Sequence, residues 1–168
     1  MKPVFAFTQP IKKGKGGLPR VLTTLMERLP GYYDSSRQVI PSLDLANGSD
    51  RQQRSERREA CVRIVNALLL HTEVASLRVG IPTSTGFLNL TFDYIANKTG
   101  MTLRRSERAL RDLKRAGLIT VAQPRQLKED GTWKGLSAVK AISKDLLSLF
   151  GLTDMLAFER IKASKSIK

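Results

Sequence analysis

At 168 residues and 18.7 kDa the chain has room for one domain, or one domain with a small appendage, around a real core. Its 41% hydrophobic and 26% charged residues, with 12 Gly and 7 Pro, exclude collagen-like, low-complexity and wholly disordered chains. The 29 Lys and Arg against 15 Asp and Glu leave a formal charge of +14, which points to a polyanionic partner, nucleic acid ahead of an anionic membrane surface.

A single cysteine rules out an internal disulfide framework and fits a reducing, cytoplasmic setting. No apolar run approaches the ~20 residues that span a bilayer. A membrane-surface or RNA-binding role is weakened by an aromatic content of only 6% and by the lack of an aromatic strand for stacking bases, so no membrane partner is expected. The opening MKPVFAFTQPIKKGKGG has lysines but no continuous apolar stretch, unlike a secretory signal. The basic excess is uneven. Residues 101–150 carry 11 basic and 5 acidic side chains, against 7 and 4 in each of the two preceding blocks of fifty.

In chain order, residues 1–17 read as a basic arm, since Ile11–Gly17 interleaves three lysines with three glycines. Leu18, Val21, Leu22, Leu25, Met26 and Leu29 recur at helical spacing, with Pro19 in the first turn and Pro30-Gly31 as the stop. The stretch Tyr32–Gly48 has no clear period. A composition shift at Asn47–Asp50 opens the main domain, giving three expected parts: 1–48 arm and short helix, 49–152 DNA-binding domain, 153–168 basic C-terminal helix or tail.

A long helix is predicted from Ser49 to about His71, capped by Ser49 or Asp50. Its first half (Arg51–Glu59) is polar all round and its second half is apolar (Cys61, Val62, Ile64, Val65, Leu68, Leu69). Leu77–Ile81 reads as a short strand and Pro82–Gly86 as a turn. Thr91 then caps a helix from Phe92 to about Lys98, which Gly100 stops. Thr102 caps a second helix, Leu103 to Ala116, ending at Gly117. Two helices around a short glycine-containing turn, the second loaded with arginine, describe a helix–turn–helix.

Angular arithmetic orients the second helix. At about 100° per residue, Leu103, Ser106, Ala109, Leu110, Leu113 and Ala116 share an arc of about 140°. Arg104, Arg108, Arg111 and Arg115 share only about 60°, almost opposite. A merely solvated face mixes signs, yet this stripe contains no carboxylate; Glu107 and Asp112 sit beside it. Arginine forks pair with guanine edges or phosphates. Leu118–Pro124 is strand-like, Asp130-Gly131 is a hairpin turn, and a second strand runs roughly Lys134–Ile142. Strand, basic loop and strand after a recognition helix give the expected fold: a mainly α winged helix–turn–helix with a small β-hairpin and an N-terminal helical extension. The candidate DNA-binding residues are Thr102, Arg104, Arg105, Arg108, Arg111 and Arg115 on the helix, with Arg125, Lys128 and Lys134 on the wing. Arg104, Arg105 and Arg108 lie at the helix start, which enters the groove, and are the candidates for base edges. Trp133 is expected to anchor the hairpin on the core. Ser143 caps a helix Lys144–Phe150 with Leu146, Leu147, Leu149 and Phe150 as core, and Glu159–Lys168 reads as a fraying basic tail.

The run EACVRIVNALLLH, then TFDYIANKTGM, RRSERALRDLKRAGLIT and GTWKGLSAVKAISKDLLSLFGL, together with PVF and LTTLMERLPGYYD near the start, resembles the RepA replication initiators of IncFII-type plasmids. The likeness covers about residues 3–152, and SERALRDLKRAGLIT is its most specific piece. It stops short of the further, highly basic C-terminal half of longer members. The resemblance implies a bacterial cytoplasmic protein that binds its plasmid's double-stranded origin and engages host replication-initiation proteins; a homodimer is left open. A winged-helix transcriptional repressor, sharing the same DNA-contact physics, is the alternative.

No catalytic residues are expected. Nicking initiators need a His-hydrophobic-His metal cluster beside a nucleophilic Tyr, whereas this chain has one histidine, His71, and Tyr32 and Tyr33 lack a metal partner. Cys61 and His71 are the only soft ligands, so no metal is expected. Lys12–Gly17 lacks the P-loop pattern, and no cofactor is implied.

Overall fold

The computed structural model describes residues 18–45, 54–123, 125–135 and 138–166. The chain is mainly α with small antiparallel sheets. Pro19 is the N-cap of α1 (Arg20–Arg28), whose buried face is Val21, Leu22, Leu25 and Met26. Helix α1 ends beside Pro30-Gly31 as expected, but a new helix begins at once. Leu29 stays helical and Pro30 occupies the first position of α2 (Pro30–Asp34), where its missing N–H has no helical partner to lose. The aperiodic stretch after it folds into α3 (Ser36–Val39) and α4 (Pro41–Leu45). Each helix is about one turn, too short to show a period, and together they bring Tyr32, Ile40 and Leu43 into the core.

The central helix α5 (Ser55–Leu69) starts later than the predicted Ser49; its N-cap is Arg54, extended and without a side-chain cap bond. Ser49 and Asp50 themselves, like the basic arm of residues 1–17, lie outside the described residues. From Ala60 on, α5 is buried nearly all round, except for half-exposed Arg63. It packs against α1 and α2 and against α6 and α7, and the buried residues of these helices form one core.

The predicted strand Leu77–Ile81 is shifted and doubled. Residues Gly80–Thr83 form β1 and pair with a strand not anticipated, β2 (Gly86–Asn89), leaving only Ser84 and Thr85 as the turn. Leu77 and Val79 turn inward and reach the distal sheet: Val79 N–H donates to the Lys140 carbonyl at 2.8 Å, and Ile142 N–H to the Leu77 carbonyl at 2.8 Å.

Then come α6 (Phe92–Thr99) and α7 (Leu103–Arg115), each capped as the sequence predicts. Thr91 Oγ1 accepts from Tyr94 N–H, and Thr102 Oγ1 from Arg105 N–H. Gly100 (φ 73°) and Gly117 (φ 76°) take the left-handed conformation that ends each helix. At Gly117 the cap is a Schellman motif: Leu118 N–H reaches the Leu113 carbonyl at 3.0 Å and Gly117 N–H the Lys114 carbonyl at 3.1 Å. Both leucines are buried, so the turn from helix to strand is clamped from inside.

The hairpin after α7 has two storeys. Its base is β3 (Ile119–Ala122) paired with β6 (Val139–Ile142), in register Ile119↔Ile142. Its tip is β4 (Arg125–Leu127) paired with β5 (Trp133–Gly135), in register Leu127↔Trp133. The single strand predicted over Lys134–Ile142 is thus two strands, and Pro124, Leu136 and Ser137 between the storeys lie outside the described residues. Asp130-Gly131 turns the tip as expected: Gly131 has φ 84°, and Asp130 Oδ1 accepts from Thr132 N–H (2.9 Å) and Thr132 Oγ1 (2.6 Å).

Ser143 caps α8 (Lys144–Leu149), in which Leu146 and Leu147 are buried but Leu149 is exposed and Phe150 only half-buried. The expected fraying tail is a continuous helix, α9 (Thr153–Ser166). Leu152 just before it and Leu156 within it are buried, and Arg160 Nε donates to the Ala75 carbonyl at 3.0 Å. Among the described residues no helix is long and apolar enough to cross a membrane.

Candidate nucleic-acid interface

Helix α7 is held by its back. Ser106, Ala109, Asp112 and Leu113 are buried, whereas Leu103, placed in the apolar arc by its type, is 44% exposed and Leu110 is only half-buried. The buried face is therefore rotated toward Asp112 by roughly 50° relative to the arc drawn from apolar residues alone. The cause is an ion pair. Arg57 on α5 donates to Asp112 through Nη2 (2.7 Å to Oδ1, 2.8 Å to Oδ2) and Nε (3.1 Å to Oδ2). The Asp112 side chain is 1% exposed and the Arg57 side chain 31%. Charge-assisted forks of this kind are geometrically demanding, and this one sets the roll of α7 on α5.

The polar first half of α5 is therefore a docking strip for α7 rather than a helix crossing open surface. Arg105 belongs to the same strip: its Nη2 donates to the Glu56 carbonyl at 3.0 Å and lies 3.5 Å from the Glu59 carboxylate, which also accepts from Arg63 at 2.9 Å. Of the three candidates for base edges, Arg105 is thus engaged with α5, leaving Arg104 and Arg108 exposed. An open groove of about 510 Å³ between α5 and α7 is lined by Arg57 from α5 and by Arg104, Arg105, Arg108 and Asp112 from α7.

The outward face of α7 carries Arg104, Arg108, Arg111 and Arg115, all exposed. Among the described residues none of the four is in an ion pair, and no carboxylate of α7 shares the stripe: Asp112 is turned inward and Glu107 lies beside it. Thr102 is exposed at the helix start with its hydroxyl oxygen used as the cap. Arg125, Lys128 and Lys134 are exposed on the hairpin tip.

Trp133 departs from expectation. Far from anchoring the hairpin on the core, it is 63% exposed, opposite Leu127 at 57%. A tryptophan beside a hairpin turn has the same local sequence whether the hairpin lies on the body or stands off it, so no signal in the chain separated the two.

Lys140, not singled out from sequence, is buried where strand alternation points it inward beside Ile142. Its Nζ donates to the Leu90 carbonyl at 3.1 Å, tying the hairpin base to the residue before the Thr91 cap. Burial lowers its pKa. His71 is half-buried edge-on to Tyr94, ring centroids 5.4 Å apart; burial, aided by the Lys98 charge, holds its pKa below the ordinary value. Cys61 is fully interior. Burial first and the Asp112 charge second push its thiol pKa up, against the opposing charge of Arg57. Among the described residues no three His, Cys, Asp or Glu side chains are placed to hold a metal ion.

No protein-family model matches the chain, and no curated protein or solved structure matches it either.

Proposed function

We propose that this protein is a plasmid replication initiator that binds double-stranded origin DNA through a winged helix–turn–helix and helps recruit host initiation proteins. The reading takes α7 as the recognition helix, α6 as its partner and the hairpin β3–β6 with its tip as the wing. The order of elements supports it: α5, then the Leu77–Val79 segment bonded to β6, then α6, α7 and the hairpin. The observation that carries it is the stripe of four exposed arginines on α7, free of carboxylates, opposite a face held to α5.

The division of labour follows from position. A recognition helix enters the major groove by its first turns, so Arg104 and Arg108 meet base edges. Arg111 and Arg115, further along, meet phosphates, as do Arg125, Lys128 and Lys134 on the wing. Arg105 contributes by keeping the helix start against α5. A repressor would use the same surface; the likeness to RepA initiators favours replication.

The test is a pair of binding isotherms, on origin duplex and on a scrambled duplex, repeated across salt concentrations. Affinity is expected to fall by about 0.9 log units per log unit of salt for each phosphate neutralised. Arg108→Ala is expected to lose about 1–3 kcal/mol on the origin and little on the scrambled duplex. Lys128→Ala is expected to weaken both alike and flatten the salt slope by about one unit. Binding that barely responds to salt, or an Arg108 variant indistinguishable from the parent on both duplexes, overturns the reading. A footprint on the plasmid's own origin separates replication from repression.

A further inference from the structure

The hairpin tip has a composition that duplex binding does not explain. Every residue from Arg125 to Gly135 is exposed, so the tip is a finger standing off the body. Strand alternation and the register Arg125↔Gly135, Leu127↔Trp133 put these four residues on one face of the finger. That face offers an indole, an isobutyl group, a guanidinium and, at Gly135, bare backbone. A Cβ built at Gly135 would meet nothing within 4 Å, so a flat ring can lie against the strand there. Lys134 and Gln126 occupy the other face. Asp130, one of the two acids at the tip, is committed to the turn through Thr132.

We propose that the finger is a stacking platform for unpaired bases, with Trp133 as the stacking ring and Arg125, Lys128 and Lys134 as its phosphate contacts. This rests on the reading of the chain as a DNA-binding protein and extends it from duplex to locally melted DNA. Aromatic rings beside cations bind single strands because every base has an apolar face and every linkage a negative charge. In a duplex those faces are covered by neighbouring bases, and a ring reaches them only by prising a step apart, at a cost an unpaired strand does not impose. A protein partner is a poorer match: the face has only two apolar side chains, and lysine, present on the finger twice, is depleted at protein interfaces.

The chain has one tryptophan, so its indole fluorescence reports the finger alone. The 168-residue chain is titrated with a mixed-sequence single-stranded oligonucleotide and with the duplex of the same sequence, with binding followed independently by anisotropy of labelled DNA. Saturable quenching by the single strand, and little by the duplex at concentrations where anisotropy shows it bound, is the expected result. Trp133→Ala is expected to weaken single-strand binding roughly 5- to 150-fold and leave duplex binding within about twofold, while Trp133→Phe retains most of the single-strand affinity. Equal quenching by both DNAs would show a groove contact and overturn the proposal; so would single-strand binding indifferent to Trp133→Ala, or no quenching by either. Arg108→Ala keeps the two readings apart, since it is expected to lower affinity for the origin duplex and leave single-strand quenching intact. Single-strand quenching from a chain that never binds duplex would sink the duplex reading and leave the finger standing.

Discussion

The two faces of α7 both carry charge and use it in opposite ways. Its outward face spends charge on solvent, with Arg104, Arg108, Arg111 and Arg115 exposed, while its inward face buries a charge, Asp112, within reach of Arg57 on α5. A buried carboxylate is a weak way to gain stability but a strong way to select one orientation, because a helix rolled by one position leaves it facing the wrong neighbours. The comparison teaches that the arginine stripe is aimed by the ion pair behind it, not only by the apolar arc.

The comparison breaks first at Leu113, which is 1% exposed beneath the helix. Leu113→Ala is expected to lower unfolding free energy by about 2–5 kcal/mol in a denaturant titration. Leu110→Ala, at a half-buried position, is expected to cost clearly less; the reverse order would mean that α7 sits with the roll its apolar residues alone imply. Asp112→Asn keeps shape but removes the charge, and a loss of about 1–3 kcal/mol is expected. It should also weaken origin binding beyond what the melted fraction explains, since the stripe is no longer aimed. An unchanged affinity in the fully folded variant would show that the pair stabilises without orienting. Arg108→Ala lies on the other face and is expected to change stability by less than about 0.5 kcal/mol. A large drop in its melting temperature would reverse the facing of the helix.

The smallest effect is on pH. Burial makes the folded His71 imidazole harder to protonate than the unfolded one, whose ordinary value is 6.5. As pH falls below 6.5 the unfolded state takes the proton first, and stability is lost down to the folded pKa. Comparing melting curves across that window, His71→Gln is expected to flatten the slope, the rest of the acid sensitivity being left to the carboxylates. An identical slope in the variant would show that His71 titrates alike in both states.

What was legible in the chain follows from how local each signal is. Thr91, Gly100, Thr102, Gly117 and Ser143 act on their own neighbours, so α6, α7 and α8 start and stop where these residues place them. The arginine stripe was equally readable, being a property of one helix. Asp112 was not: nothing within α7 distinguishes a carboxylate beside the stripe from one turned inward, and its partner Arg57 stands 55 residues away. The engagement of Arg105 with α5 was hidden for the same reason, since its contacts with Glu56 and Glu59 cross between helices. The core contributions of Tyr32, Ile40 and Leu43 were hidden because helices of four or five residues hold no periodicity. Trp133 shows the limit most plainly, for its exposure depends on whether the finger touches the body, a fact of tertiary structure.

Cys61 lies where α5 meets the N-terminal helices and α7, beside Tyr32, Leu43, Val65 and Leu113. With its thiol buried and held in the unreactive protonated form, a water-soluble thiol reagent has no route to it in the closed protein. The only cysteine is thereby a built-in clock: the rate at which it is labelled reports how often these helices part, and its dependence on denaturant separates small local openings from global unfolding. If bound DNA slows that clock, the contact on the outer face of α7 is felt at the junction behind it.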